Sequence, residues 1–158
     1  LKGFLECAGG KDVNQVNVRT LAHALGILVE EIKSNEETDY NEWLHVAVYA
    51  GHHKVSVGGT FYGSHAHPRI VRINSLPVEV VPSGVLFIMT NRDRPGIVGY
   101  IGMLMGKYQV NIASMSLSRE KVGGQALTVL NLDSVPPPEL LDEVQKDPDI
   151  SNVRVVRL

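Results

Sequence analysis

With a single cysteine, Cys7, among its 158 residues, the chain cannot build an intrachain disulfide framework and fits a reducing cytoplasm. It also lacks any apolar run approaching the roughly 20 residues that cross a bilayer, and no charged-then-apolar leader opens it. Neither sign of charge dominates: 15 Lys and Arg stand against 17 Asp and Glu, for a formal charge of −2. That balance gives no electrostatic reason to expect nucleic acid or an anionic membrane as partner. No nucleophile–base pair or paired-carboxylate pattern stands out, and "GGT" at Gly58–Thr60 lacks the G-x-G-x-x-G spacing of a dinucleotide loop. With no catalytic constellation and no nucleotide site, the chain reads as something other than an enzyme by itself.

The residues that are there, 44% hydrophobic and 20% charged, make an ordinary globular composition, long enough for one domain or two small ones. The opening "LKGFLECAGG" reads like the interior of a helix, which suggests a piece of a longer protein. Leu1–Ala8 is expected to be helical and to stop at Gly9-Gly10. A short extended segment follows around Val13–Asn17, then a short helix over Thr20–Leu25 and a strand-like Ile27–Lys33. After the polar "SNEETDYNE", Leu44, Val46 and Val48 alternate with His45, Ala47 and Tyr49 as a strand should, and "AGHHK" turns the chain back into Val55–Tyr62. Gly58-Gly59 marks a bulge there. Arg69–Asn74 and Val78–Val81 read as a further strand pair. Residues 1–83 thus form a partial α/β domain, and 84–158 a second domain, with no internal repeat.

The second domain is more regular. Its expected elements are a strand at Val85–Asn91, a helix at Pro95–Tyr108 and strands at Asn111–Arg119 and Gln125–Leu132. A helix opened by Pro136-Pro137-Pro138 and a strand at Val153–Leu158 complete it. The order β-α-β-β-α-β is the ferredoxin-like split βαβ unit, so the whole chain is α+β in class. On a helical wheel, Val98, Ile101, Met105 and Tyr108 share the face expected to lie on the sheet, and Gly99, Gly102 and Gly106 form an adjacent stripe. Each interior glycine costs about 1 kcal/mol against alanine, so something should approach that edge closely. Tight packing within the domain and the approach of a ligand or second subunit both fit.

The turn before this helix carries the chemistry. Free N–H groups at a helix start favour a carboxylate, and Asn91 and Asp93 can hydrogen-bond an ammonium or hydroxyl. Pro95 presets the turn, Gly96 leaves the amides unblocked, and Asn111 adds a polar group at the next strand. Together they describe an amino-acid site; simple capping of the helix by Asn91 and Asp93 is the competing reading.

These residues carry a resemblance. "NRDRPGIVGYIGMLMGKYQVNIASMSLSR" with "GGQALTVLNLD" resembles an ACT domain, a small-molecule-sensing module of amino-acid metabolism. "VNQVNVRTLAHALGILVEE" and "GGTFYGSHAHPRIVRIN" resemble the intervening (allosteric substrate-binding) domain of long-form D-3-phosphoglycerate dehydrogenases, which precedes the ACT domain in those enzymes. The resemblance implies a regulatory C-terminal region whose ACT domains pair and bind L-serine, or another small amino acid, at their interface. Its matching positions are Asn91, Asp93, Pro95, Gly96 and Ile97 in the turn, and Asn111 and Ile112 on the strand, with Asn111 facing a ligand held mainly by the partner's turn. NAD and the hydride chemistry would belong to upstream catalytic domains of the same chain, with no cofactor in this part. Two alternatives stay open: an oligomerisation module without a serine response, and the β-type portion of an iron–sulfur L-serine dehydratase.

His65 and His67 at i, i+2 point the same way on a strand, but no Cys, Asp or Glu lies near to complete a zinc site. The better reading groups Arg69 and Arg72 with His65, His67 and Lys54 as a candidate site for a phosphorylated or carboxylated anion, against solvated surface charge. The resemblance places a basic residue at Arg69, whereas Pro77 and Val81 depart from its other basic positions. If Leu1 lies inside the first helix, a strand is missing before it. The first domain is then expected to be less well ordered than the second, or completed by a neighbour.

Overall fold

The computed structural model describes residues 1–9, 12–34, 40, 42–63 and 67–158, which cluster into two compact units, 1–37 and 38–158. In the first unit, α1 (Lys2–Gly9) and α2 (Val18–Ala24) bury Leu5, Val13, Val18 and Ala22, with Leu21, Ile27 and Val29 at the margin. The segment expected to be extended at Val13–Asn17 is instead a turn held by two asparagines. Asn14 Oδ1 accepts from the N–H groups of Val16 and Asn17, and Asn17 Oδ1 accepts from the N–H of Asn14. Short amide side chains that bond the backbone locally displace a strand here. Ile27–Lys33 belongs to no ladder among the described residues. Its Ile27 and Val29 turn inward, whereas Leu28 and Ile32 are 97% and 80% exposed.

The second unit holds two antiparallel four-stranded sheets. The first is a meander of β1 (Leu44–Ala50), β2 (His53–Tyr62), β3 (His67–Ile73) and β4 (Leu76–Val80) in sequential order. Val46 opposes Val57 and Val48 opposes Val55, and the register of β2 on β3 shifts between Gly58 and Gly59, where the bulge was expected. A Cβ on Gly58 would collide with the Trp43 ring, so only glycine lets that indole lie on the strand.

The second sheet is built from β5 (Val85–Arg92), α3 (Ile97–Lys107), β6 (Ile112–Arg119), β7 (Gln125–Leu132), α4 (Pro138–Val144) and β8 (Ile150–Arg157). Its strand order, β6-β7-β5-β8, with both helices on one face, is the ferredoxin-like arrangement. Phe87, Met89, Leu130 and Leu132 meet Ile97, Ile101, Leu104, Met105, Leu140 and Val144 in the main core, and each such side chain contributes about 1.5–3 kcal/mol by leaving water. On the opposite face, Leu86, Leu127, Val129 and Ile88 pack against Val78, Val80, Ile70, Ile73 and Leu76 of the first sheet. Asn131 Nδ2 donates to the carbonyls of Val81 and Ser83 and so ties down the connection between the sheets. β7 is therefore buried on both faces, which explains its nearly continuous apolar run.

α3 sits slightly rotated from its expected face. It buries Ile97, Ile101, Leu104 and Met105, while Val98 is 49% exposed. The helix starts at Ile97 rather than Pro95, and burying Ile97 turns Val98 outward. Among the described residues no helix is long and apolar enough to cross a membrane.

Candidate functional site

The turn between β5 and α3 is shaped by one backbone angle and two straps. Gly96 adopts φ 87°, the left-handed conformation, so the Pro-Gly pair is a steric requirement as well as an opening for the amides. Arg94 forms one strap: its Nε donates to Asp149 at 2.7 Å and its Nη2 to Asp147 at 2.7 Å. Asp93 forms the other. Its N–H donates to the Gly124 carbonyl, and its Oδ2 accepts from Arg119 Nη1 at 2.7 Å and from the Gly123 N–H at 3.1 Å. The Gly123 amide first, and the Arg119 guanidinium second, hold the Asp93 carboxyl below the ordinary aspartate range. Both bonds fall on one oxygen, and Oδ1 has no partner among the described residues.

Behind the turn, the Ile97 N–H reaches the Arg94 carbonyl at 3.4 Å and the Tyr100 N–H reaches that of Gly96 at 2.8 Å. The Val98 and Gly99 N–H groups between them find no acceptor among the described residues. No side chain caps this helix, so the capping role considered for Asn91 and Asp93 is not what either performs. α3 and α4 are clamped at their far ends, where Lys107 Nζ and Tyr108 Oη both donate to Glu143.

The sequence-predicted residues separate into groups. Asp93, Pro95 and Gly96 stand at the turn, and Ile97 joins it through its backbone with its side chain in the core. Asn91, two residues before Asp93, is buried. It is 2% exposed, accepts from Thr128 Oγ1 at 2.9 Å and donates to the Arg92 carbonyl at 3.0 Å. Its register explains this: Asn91 follows Phe87 and Met89 at two-residue spacing, so its side chain shares their inward face. Ile112 opens β6 with Asn111 immediately before it, and the strand's other end is Arg119, so within one chain they lie about 23–26 Å along the strand from the Asp93 strap. Asn111 Nδ2 donates there to Asp133 at 2.7 Å.

The basic set divides as well. Arg72 lies over the Trp43 ring at 5.9 Å and Lys54 over the Tyr49 ring at 5.5 Å. Both line a shallow cleft of about 500 Å³ with Trp43, His45, Ser56, Asn74 and Ser75. His45 and Trp43 were missed by reading the sequence, although His45 opposes Gly58, which also opposes Arg72, so pairing puts them on one face. Arg69 donates to the Pro68 carbonyl and lies over Tyr62, beside His67 at the start of β3. His65 falls outside the described residues.

A four-stranded antiparallel sheet with two helices on one face, the first of them entered through a glycine turn, defines an α+β domain of ferredoxin-like class. Comparison with known families makes this particular. Residues 1–74 match the D-3-phosphoglycerate dehydrogenase intervening domain and residues 84–149 match the ACT domain, so the chain joins these two domains in that order. Relatives named D-3-phosphoglycerate dehydrogenase align over the full chain: that of Synechocystis is 36% identical, and those of Methanocaldococcus jannaschii and Bacillus subtilis are each 32% identical. The chain spans 28% of the Synechocystis protein's length and 30% of the other two.

Proposed function

We propose that this chain is the regulatory, amino-acid-sensing C-terminal region of an NAD-dependent D-3-phosphoglycerate dehydrogenase of serine biosynthesis, with 1–83 its intervening domain and 84–158 its ACT domain. L-Serine is bound between paired ACT domains and lowers the activity of the longer, cytoplasmic protein. The observation that carries this reading is that, among the described residues, the Val98 and Gly99 N–H groups at the start of α3 and Oδ1 of Asp93 in the turn before it have no hydrogen-bond partner. The amides suit a carboxylate and Asp93 Oδ1 suits an ammonium. β6 is an edge strand, and two copies pairing antiparallel about Met115 would bring Asn111 of one chain to the Arg119 end of the other. NAD and hydride transfer belong elsewhere in the longer protein, since no dinucleotide loop occurs in this sequence. Feedback requires that serine bind one arrangement of the assembly more tightly than another.

Isothermal titration of the chain with L-serine, with glycine and L-phenylalanine as controls, tests this. We expect saturable, serine-selective heat that an Asn111→Ala variant loses. No heat with any of the three, from a chain shown to be dimeric, would leave oligomerisation as its role.

Lys54 and Arg72 remain our candidates for holding a phosphorylated or carboxylated anion, because neither has an acidic partner among the described residues. Inorganic phosphate that leaves the emission of Trp43 unchanged would remove them.

A further inference from the structure

We infer that Arg119 is a positioning residue of the amino-acid turn: by holding Oδ2 of Asp93 it presents Oδ1 to the ligand and cancels the aspartate charge, so that the turn selects a zwitterion over a simple amine. The inference rests on the reading of the turn as an amino-acid site and goes a step further, to how that site chooses its ligand. Arg119 ends the edge strand β6, and Asp93 stands 26 residues earlier in the turn. The 2.7 Å contact between them joins the ligand turn to the strand proposed to pair with a second copy. Arg119 is half-exposed and Asp93 only 17% exposed, so the guanidinium shields the carboxylate from one side. The Gly123 N–H fixes the same oxygen. Oδ1 is thereby the acceptor left for an incoming ammonium.

Charge decides selectivity. An aspartate without its arginine would carry a full negative charge into the turn and draw any amine cation, whether or not a carboxylate accompanies it. Paired with Arg119, Asp93 acts through one directed lone pair and little net field. A ligand must then add its own carboxylate at the Val98 and Gly99 amides to bind well.

The test titrates the whole chain and its Arg119→Gln and Arg119→Lys variants with L-serine and with ethanolamine, which keeps the amine and hydroxyl and lacks the carboxylate. We expect Arg119→Gln to weaken L-serine by about tenfold or more and to narrow the preference for serine over ethanolamine. Arg119→Lys, which keeps the charge, restores much of that preference. The Asp93 carboxyl, followed by carbon NMR, titrates higher in Arg119→Gln than in the parent. In an Asp93→Asn background, where no charge needs cancelling, adding Arg119→Gln changes the preference no further. An unchanged serine-to-ethanolamine ratio in Arg119→Gln overturns the role of Arg119 and leaves the site standing. Absence of L-serine binding by the parent chain overturns both. Should Arg119→Gln fail to fold, the lysine variant and the Asp93→Asn chain decide the matter by the same ratio.

Discussion

Phe87→Ala is expected to remove about 3–5 kcal/mol from the stability of the ferredoxin-like sheet, enough to unfold much of it at ambient temperature. Phe87 is fully buried at the middle of β5, opposite Leu130 on one side and Val155 on the other. It belongs to the cluster that joins Ile101, Met105 and Leu140 from both helices to the sheet. Truncation would open a cavity beneath α3 that neighbours on two paired strands cannot close without breaking their ladders. Urea unfolding followed by far-UV circular dichroism measures the loss. A cost below about 1 kcal/mol would mean that the helices collapse onto the gap and that the core is softer than its burial indicates.

The double change Gly99→Ala/Gly102→Ala should act in the opposite direction. A Cβ built at either glycine meets nothing within 4 Å, and neither has a positive φ. Packing among the described residues of this domain thus gives no reason for glycine at these positions. Each alanine should stabilise the helix by up to about 1 kcal/mol, raising the melting midpoint by roughly 4–8 °C for the pair. If a second copy also lies against this edge of α3, the added methyl groups hold it off, and the same variant should associate and bind serine less well. Scanning calorimetry at low concentration reads the first effect, and sedimentation velocity with and without L-serine reads the second. A more stable variant that still pairs and still binds would place the interface elsewhere on the domain.

Much of this architecture could be read from residue order because local signals and tertiary packing agree. The alternation of β1, the bulge glycines of β2, the Pro-Gly entry to α3 and the proline run before α4 each state a local preference that the fold satisfies. The family resemblance was legible for the same reason, since its turn and strand motifs sit in those strongly patterned segments. Where the reading failed, a non-local partner decided the outcome. Ile27–Lys33 has strand-like alternation but no neighbouring strand among the described residues, and a ladder cannot form on one side only. The reading of Asn91 as a ligand group stands as a proposal; what the sequence did not show is Thr128, 37 residues away, whose hydroxyl donates to it. The Arg119–Asp93 contact gave no local sign, because its two residues are 26 apart in the sequence, on either side of α3. Arg69 and Arg72 are three apart, but one lies over Tyr62 and the other over Trp43.

The indole resting on Gly58 gives the molecule a built-in optical label. Trp43 is the sole tryptophan in the sequence, stacked between Tyr40 and His45, whereas residues 84–158 contain only Phe87, Tyr100 and Tyr108 as aromatics. Light emitted at long wavelength therefore originates beside β1 and β2. The seam formed by Val78, Val80, Leu86, Leu127 and Val129 belongs to both sheets, so the colour of that emission should also register a melting event that begins in the other sheet.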